Sequence, residues 1–198
     1  MIVVVDYDTG NLRSVADALH RVGADFLLTA DPAVLRQADK VILPGVGEAS
    51  SAMEKLRERG LDTVIPTLTQ PVLGICIGLQ LMCQSSEEGD AQCMGIFPTR
   101  VLRLLTQTLQ DERLKVPHVG WNTITDLKTP LFAGVAESSY VYYVHSFAAE
   151  LCPATIATTD YGCSFSAALA YNNFYGAQFH PEKSGSVGAQ IIRNFLKL

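Results

Sequence analysis

No stretch of this chain approaches the roughly 20 consecutive apolar residues needed to cross a bilayer, which excludes a helical transmembrane protein and any membrane role built on one. Basic residues are the minority: 15 Lys and Arg against 20 Asp and Glu in 198 residues, a net charge of -5. Proteins that grip a phosphate backbone usually carry a basic excess, so no nucleic-acid partner is expected. Only Met1 precedes the apolar run Ile2-Val3-Val4-Val5. With no basic segment ahead of a hydrophobic core, no secretory signal is expected. The five cysteines are odd in number and none forms a C-x-x-C pair, a poor framework for disulfides or thiolate-bound metal. The expected setting is a reducing cytoplasm, with no metal and no cofactor. Repeats, low-complexity tracts and linker-like segments are also missing, so residues 1–198 are expected to form a single domain.

What is present suits a well-buried globular domain: 48% apolar and 18% charged residues. The first half alternates short strand-like runs, the β-branched Ile2–Val5 first among them, with helical patterns. Strands are expected at Ile2–Val5, Asp25–Leu28, Val41–Leu43 and Val72–Ile75. Leu12, Val15, Ala16, Leu19 and Val22 recur at helical spacing behind Asn11 as N-cap, and a second helix is expected over Ala52–Arg59. Such alternation implies right-handed crossovers and a mostly parallel sheet. After Gly95 the pattern changes to strand-like runs at Arg100–Leu105, Tyr140–Val144, Ala154–Thr159, Ser166–Tyr171 and Tyr175–Phe179, separated by turn signals that include Pro117, Asn122 and Gly134. An amphipathic helix over Gly185–Leu198 closes the chain. The fold class is therefore α/β, with a mostly parallel central sheet, flanking helices and an antiparallel addition.

The most telling stretch is Gly74-Ile75-Cys76-Ile77-Gly78, between the strand Val72–Ile75 and a helix through Leu79-Gln80-Leu81-Met82. A strand turning sharply into a helix, with a nucleophile at the bend and glycines two residues to either side, is a nucleophile elbow with cysteine in place of serine. Free N–H groups at the start of the helix favour the thiolate, and the chemistry indicated is acyl transfer through a thioester. A thiol needs a base. Of the four histidines, His20 fits a solvated helix end, whereas His180 follows an apolar run and begins His180-Pro181-Glu182. In an extended segment, residues i and i+2 share a face, so Glu182 is expected to hold one imidazole nitrogen while the other addresses Cys76. Singly, each motif has a plain structural reading: a cysteine acting as a small hydrophobe, or a His-Pro-Glu turn. Together, in this order and on these elements, they favour catalysis.

The elbow with Leu79-Gln80, and the late Gln178-Phe179-His180-Pro181-Glu182, resemble the class I, triad-type glutamine amidotransferases. Four further segments are similar to the glutaminase subunits of imidazole glycerol phosphate synthase within that class. These are Tyr7-Asp8-Thr9-Gly10-Asn11-Leu12, Leu43-Pro44-Gly45-Val46-Gly47, Pro117-His118-Val119-Gly120-Trp121-Asn122 and Tyr142-Tyr143-Val144-His145-Ser146-Phe147. Val119 stands where Met is the commoner residue and Ile77 where Leu is; neither is a reacting group. The resemblance implies a flavodoxin-like fold and hydrolysis of L-glutamine, with Cys76, His180 and Glu182 as the triad. It implies backbone oxyanion donors at Ile77 and Val46. It also implies substrate contacts from Gln80, Glu88 and Ser146, with His145 shaping the site.

The resemblance further implies a partner, because ammonia released into neutral water is protonated and no longer nucleophilic. The family pairs the glutaminase as a heterodimer with a cyclase subunit, a (β/α)8 barrel that uses the ammonia to make imidazole glycerol phosphate and aminoimidazole carboxamide ribotide in histidine biosynthesis. Docking is then expected at Asn11, Val46 and the segment containing His118, Trp121 and Asn122. A core position for Trp121 and a plain surface role for Glu88 stay open at this point. So do a glutaminase of another pathway, a γ-glutamyl peptidase, and a thiol protein without catalysis.

Overall fold

The short apolar runs of the first half become neighbouring parallel strands: Ile2–Val5, Lys40–Leu43 and Val72–Ile75 are largely buried, whereas the edge strand Phe26–Thr29 leaves Leu27 and Leu28 exposed. The computed structural model describes residues 1–8, 11–104 and 114–198. Thr9, Gly10 and Leu105 of the segments named above lie outside the described residues. In chain order the first half runs β1 (Ile2–Val5), α1 (Leu12–Arg21), β2 (Phe26–Thr29), α2 (Pro32–Gln37), β3 (Lys40–Leu43), α3 (Ala49–Glu58), α4 (Leu61–Val64), β4 (Val72–Ile75) and α5 (Ile77–Leu81). The second half adds β5 (Ser85–Ser86), β6 (Ala91–Gln92), β7 (Arg100–Arg103), β8 (His118–Ile124), β9 (Ser139–His145), β10 (Phe147–Ala149), β11 (Thr155–Asp160), β12 (Ser164–Tyr171), β13 (Phe174–Ala177) and α6 (Gly185–Lys197).

The main sheet has seven strands in the order β11-β12-β13-β4-β3-β1-β2. β2, β1, β3, β4 and β13 are parallel, and β12 and β11 continue antiparallel from β13. The parallel order is that of a flavodoxin-like doubly wound sheet with its fifth strand supplied from late in the chain. The expected fold class, antiparallel addition included, is borne out. A four-stranded sheet, β10-β7-β5-β6, and a ribbon, β8-β9, are the other sheets among the described residues.

Several local expectations need correction. His118–Ile124 is a strand, although Pro117 and Asn122 read as turn signals; Asn122 is tolerated because its amide donates to the Asp160 carbonyl at 3.0 Å. β5, β6 and β10 have only two or three residues, too short for any periodicity to register. α2 is a further addition; its signal is Asp31-Pro32, in which Asp31 Oδ1 accepts from the Ala33 N–H at 2.8 Å and proline occupies the first helical position. Helix α3 begins three residues ahead of the expected Ala52, and the Tyr175–Phe179 run leaves the ladder at Ala177. Asn11 holds the N-cap position of α1 in a left-handed conformation, φ 75°, but its side chain makes no capping bond because it is committed elsewhere.

Candidate active site

β4 and β13 lie side by side in parallel register, Ile75 opposite Ala177, so the residues after each strand emerge at the same sheet edge. The Cys76 N–H donates to the Ala177 carbonyl at 2.7 Å, which locks the two exits together. This adjacency brings Cys76 to the Gln178–Glu182 segment, and open parallel sheets present their sites at this carboxyl edge.

The elbow is built by crowding. A Cβ on Gly78 would sit 1.9 Å from the Leu43 carbonyl oxygen, and one on Gly74 2.6 Å from the Gly78 backbone. Helix α5 therefore crosses the sheet closer than any other residue permits. Cys76 takes up the bend at φ 53°, ψ -108°, a strained conformation for a residue with a Cβ. α5 is only five residues long, so its help to the Cys76 sulfur comes from the free N–H groups of its first turn, as expected, and from little macrodipole.

Cys76 and His180 both line a cavity of about 360 Å³, a volume suited to a small metabolite. Val46, Ile77, Gln80, Glu88 and Ser146 line the same cavity, as do His145 and the Phe147 segment. His180 Nδ1 donates to Glu182 Oε1 at 2.8 Å, which directs the buried Nε2 inward with no conventional hydrogen-bond partner. The expected strand alternation is not what joins this pair: Pro181–Lys183 is a 3-10 turn, and it curls Glu182 back beneath the ring. Burial, the largest influence, disfavours a charged His180 ring. The Cys76 sulfur and the Glu182 carboxylate together outweigh it and raise the pKa from 6.5 to about 10. The His180 backbone is pinned on both sides, its N–H to the Tyr142 carbonyl at 2.9 Å and its carbonyl to the Ser184 hydroxyl at 2.6 Å.

The docking residues expected from sequence separate into different roles. Asn11 Nδ2 donates to Glu182 Oε1 at 2.7 Å, so it braces the His180–Glu182 pair from behind. His118 is 3% exposed, stacked on Tyr161 at 3.8 Å between ring centroids, and presents no side chain to a partner. Its strand neighbour Trp121 is 55% exposed, which settles the choice between core and surface. Asn122 is half-buried beside His118. Glu88 combines a cavity position with an internal bond, its Oε2 accepting from the Ala49 N–H at 3.0 Å, and burial raises its carboxyl pKa.

His145 shapes the site through a neutral pair with His118. The Phe147 carbonyl can only accept, so His145 Nδ1 donates to it at 2.8 Å, and His145 Nε2 then accepts from His118 Nδ1 at 3.0 Å. Burial is the main cause that lowers the pKa of His118 to about 4 and of His145 to about 3. Between pH 6.5 and those values the unfolded chain binds protons that the folded chain does not, so stability falls as the pH falls, by on the order of a few kcal/mol over the window. His180 has the opposite sign: its contribution is complete below pH 6.5 and is lost as the pH rises through about 10. Urea midpoints should therefore decline from pH 6.5 to 5, above the carboxylate range, and His145→Gln should flatten that decline. An equally steep decline in the variant would contradict the assignment.

Gln178 carries no role in the sequence reading, although its position two residues before His180 is a usable signal. It is fully buried, and its Nε2 points at the Cys76 sulfur at 3.7 Å.

This chain matches the family "Glutamine amidotransferase class-I" over residues 3–198. It is 52% identical over 197 residues to the imidazole glycerol phosphate synthase subunit HisH of Bacteroides thetaiotaomicron, covering 100% of this chain and 99% of that protein. It is 47% identical to the subunit of the same name from Shewanella oneidensis, covering 100% of this chain and 96% of that protein. In fold it is similar to the crystal structure of a glutamine amidotransferase from Thermotoga maritima, with a TM-score of 0.66 at 17% identity over 99% of this chain and 82% of that one. An elbow cysteine, a carboxylate-held histidine across one cavity, and kinship along the whole chain agree: the chain belongs to the class I glutamine amidotransferases, among the HisH subunits of imidazole glycerol phosphate synthase.

Proposed function

We propose that this chain hydrolyses L-glutamine to glutamate and ammonia through a thioester on Cys76, as the glutaminase subunit of imidazole glycerol phosphate synthase in histidine biosynthesis. The observation that carries the residue assignment is the convergence of Cys76 and His180 from adjacent parallel strands on one cavity, with Glu182 2.8 Å behind the imidazole. The Cys76 sulfur attacks the side-chain amide carbon, and its proton resides on His180 Nε2. The tetrahedral adduct collapses with cleavage of the C–N bond as His180 returns that proton to the departing nitrogen. Water then adds to the thioester, giving a proton to His180, and the C–S bond breaks with its electron pair on sulfur. The backbone N–H groups of Ile77 and Val46, both at the cavity wall, stabilise the oxyanion of each step.

Gln80 Oε1 is buried without a partner beside the cavity and is the free acceptor for a substrate N–H. Glu88 receives the α-ammonium group, and the Ser146 backbone the α-carboxylate. These reactions draw on side chains and backbone alone.

The partner is a cyclase subunit, a (β/α)8 barrel that takes up the ammonia, and the heterodimer works in the cytoplasm. Support for the docking face comes from the β8-β9 ribbon. Its buried face pairs His118 with His145, and its other face exposes Val119, Trp121, Tyr140 and Val144. A cluster of exposed aromatic and aliphatic side chains marks an interaction surface, and tryptophan is a favoured anchor. Among the described residues no helix is long and apolar enough to cross a membrane.

Two measurements test this reading. A glutamine-mimicking electrophile should label Cys76, located by mass mapping. Glutamate release should be low for the isolated chain and rise at least tenfold on adding the cyclase with its ribonucleotide ligand. Label on another residue would overturn the nucleophile, and equal rates with and without the cyclase would overturn the coupling.

A further inference from the structure

A glutamine with no solvent exposure has to be explained, because burying an amide without hydrogen bonds is costly. Gln178 follows β13, and its two amide atoms are spent on two different partners. Oε1 accepts from Gln80 Nε2 at 3.0 Å, and Nε2 donates to the Cys76 sulfur at 3.7 Å across 102 residues of sequence. The orientation follows from a backbone atom. The Phe147 carbonyl, which can only accept, takes an N–H from Gln80 Nε2 at 2.9 Å. The second N–H of the same nitrogen then faces Gln178 and demands an oxygen there. Flipping the Gln178 amide would set two donors against each other and leave an oxygen facing the sulfur.

We propose that Gln178 is a further catalytic residue, whose Nε2–H holds the Cys76 sulfur in place and stabilises it as the thiolate, with the amide oriented by the Phe147 carbonyl through Gln80. The proposal rests on Cys76 being the nucleophile. His180 and Gln178 then serve the sulfur differently: the imidazole exchanges a proton with it, whereas the amide never does. A thiolate is a stronger acceptor than a thioester sulfur, so this bond weakens when the acyl group is attached. It strengthens again as the C–S bond breaks and the electron pair returns to sulfur, which favours thiolate departure during deacylation.

Two substitutions separate the donor from the acceptor of this amide. Gln178→Met removes both. Gln178→Glu keeps an acceptor for Gln80 but puts a carboxylate against the sulfur. Alkylation of Cys76 by iodoacetamide at pH 7, mapped by mass, should slow about tenfold in the Met variant and further in the Glu variant. In the complex with the cyclase, kcat for glutamine should fall by a similar factor in Gln178→Glu, with KM within about threefold of the original because Gln80 keeps its partner. A readout on the unaltered protein covers the case of poor folding: the side-chain amide signal of Gln178 in nitrogen-15 NMR should move with pH in step with the alkylation rate. Unchanged alkylation in the folded variants, or an amide signal indifferent to thiol ionisation, would overturn the role of Gln178. Neither result depends on glutamine chemistry. Failure of the nucleophile assignment itself would show separately, as glutamine hydrolysis persisting without Cys76.

Discussion

Cys76→Ser is expected to abolish glutamine hydrolysis, lowering kcat by on the order of 10⁴-fold or more in the complex with its partner. The substitution is nearly neutral in volume, so the elbow and cavity should survive and circular dichroism should be unchanged. Activity disappears because a serine hydroxyl is far harder to deprotonate than a thiol, and the shorter C–O bond draws the oxygen away from both His180 and the Gln178 amide. His180→Ala should remove most of the activity for the complementary reason, the loss of the group that takes and returns the proton. If Cys76 and His180 act as one unit, the double variant should be scarcely worse than Cys76→Ser alone. Glutamate release measured across the three variants decides the matter. Full activity in Cys76→Ser would refute the assignment, and additive losses would show that the two residues do not work together.

Gly78→Ala should be the most damaging single-methyl change in the site. Its Cβ would stand 1.9 Å from the Leu43 carbonyl oxygen, a backbone atom of the neighbouring strand that no rotamer change can move. Relief requires α5 to lift off β3 by more than an ångström, and Cys76 lies two residues away. Overpacking against backbone of this severity costs about 3 kcal/mol or more. For a chain of this size that corresponds to a fall of roughly 10 °C in melting temperature. Gly176→Ala is the useful contrast. The three atoms nearest its Cβ would all belong to the Leu79 side chain, Cγ at 2.7 Å, and a side chain yields more readily than backbone. Scanning calorimetry should rank the unaltered chain above Gly176→Ala and Gly176→Ala above Gly78→Ala. A Gly78→Ala protein that melts with the unaltered chain would mean that the elbow is looser than this packing allows.

Much of this site is legible in the order of residues. Cys76 between two glycines, and His180 two residues ahead of Glu182, are local patterns, and local patterns specify turns and reacting groups well. The parallel half of the sheet is legible for the same reason, since each short apolar run declares itself within four or five residues. Local reading fails where a residue serves something distant in sequence. Asn11 has the look of an N-cap and instead spends its amide on Glu182. Asn122 has the look of a turn and sits inside β8, because the Asp160 carbonyl satisfies its side chain. His118 belongs to the segment expected to dock, yet it packs inward while its neighbours Val119 and Trp121 face out. A strand alternates its faces, and the sequence of β8 does not say which face the rest of the fold will cover.

Residue order alone points to the kind of chemistry: a thiol at a bend, an imidazole with a carboxylate close by, and an α/β framework to carry them. That these groups meet follows from the packing of the whole fold. β13 pairs with β4, a strand about a hundred residues earlier in the chain, and that one pairing sets His180 and Gln178 against Cys76. Long-range register depends on the total burial won by the whole sheet, a sum no short segment contains.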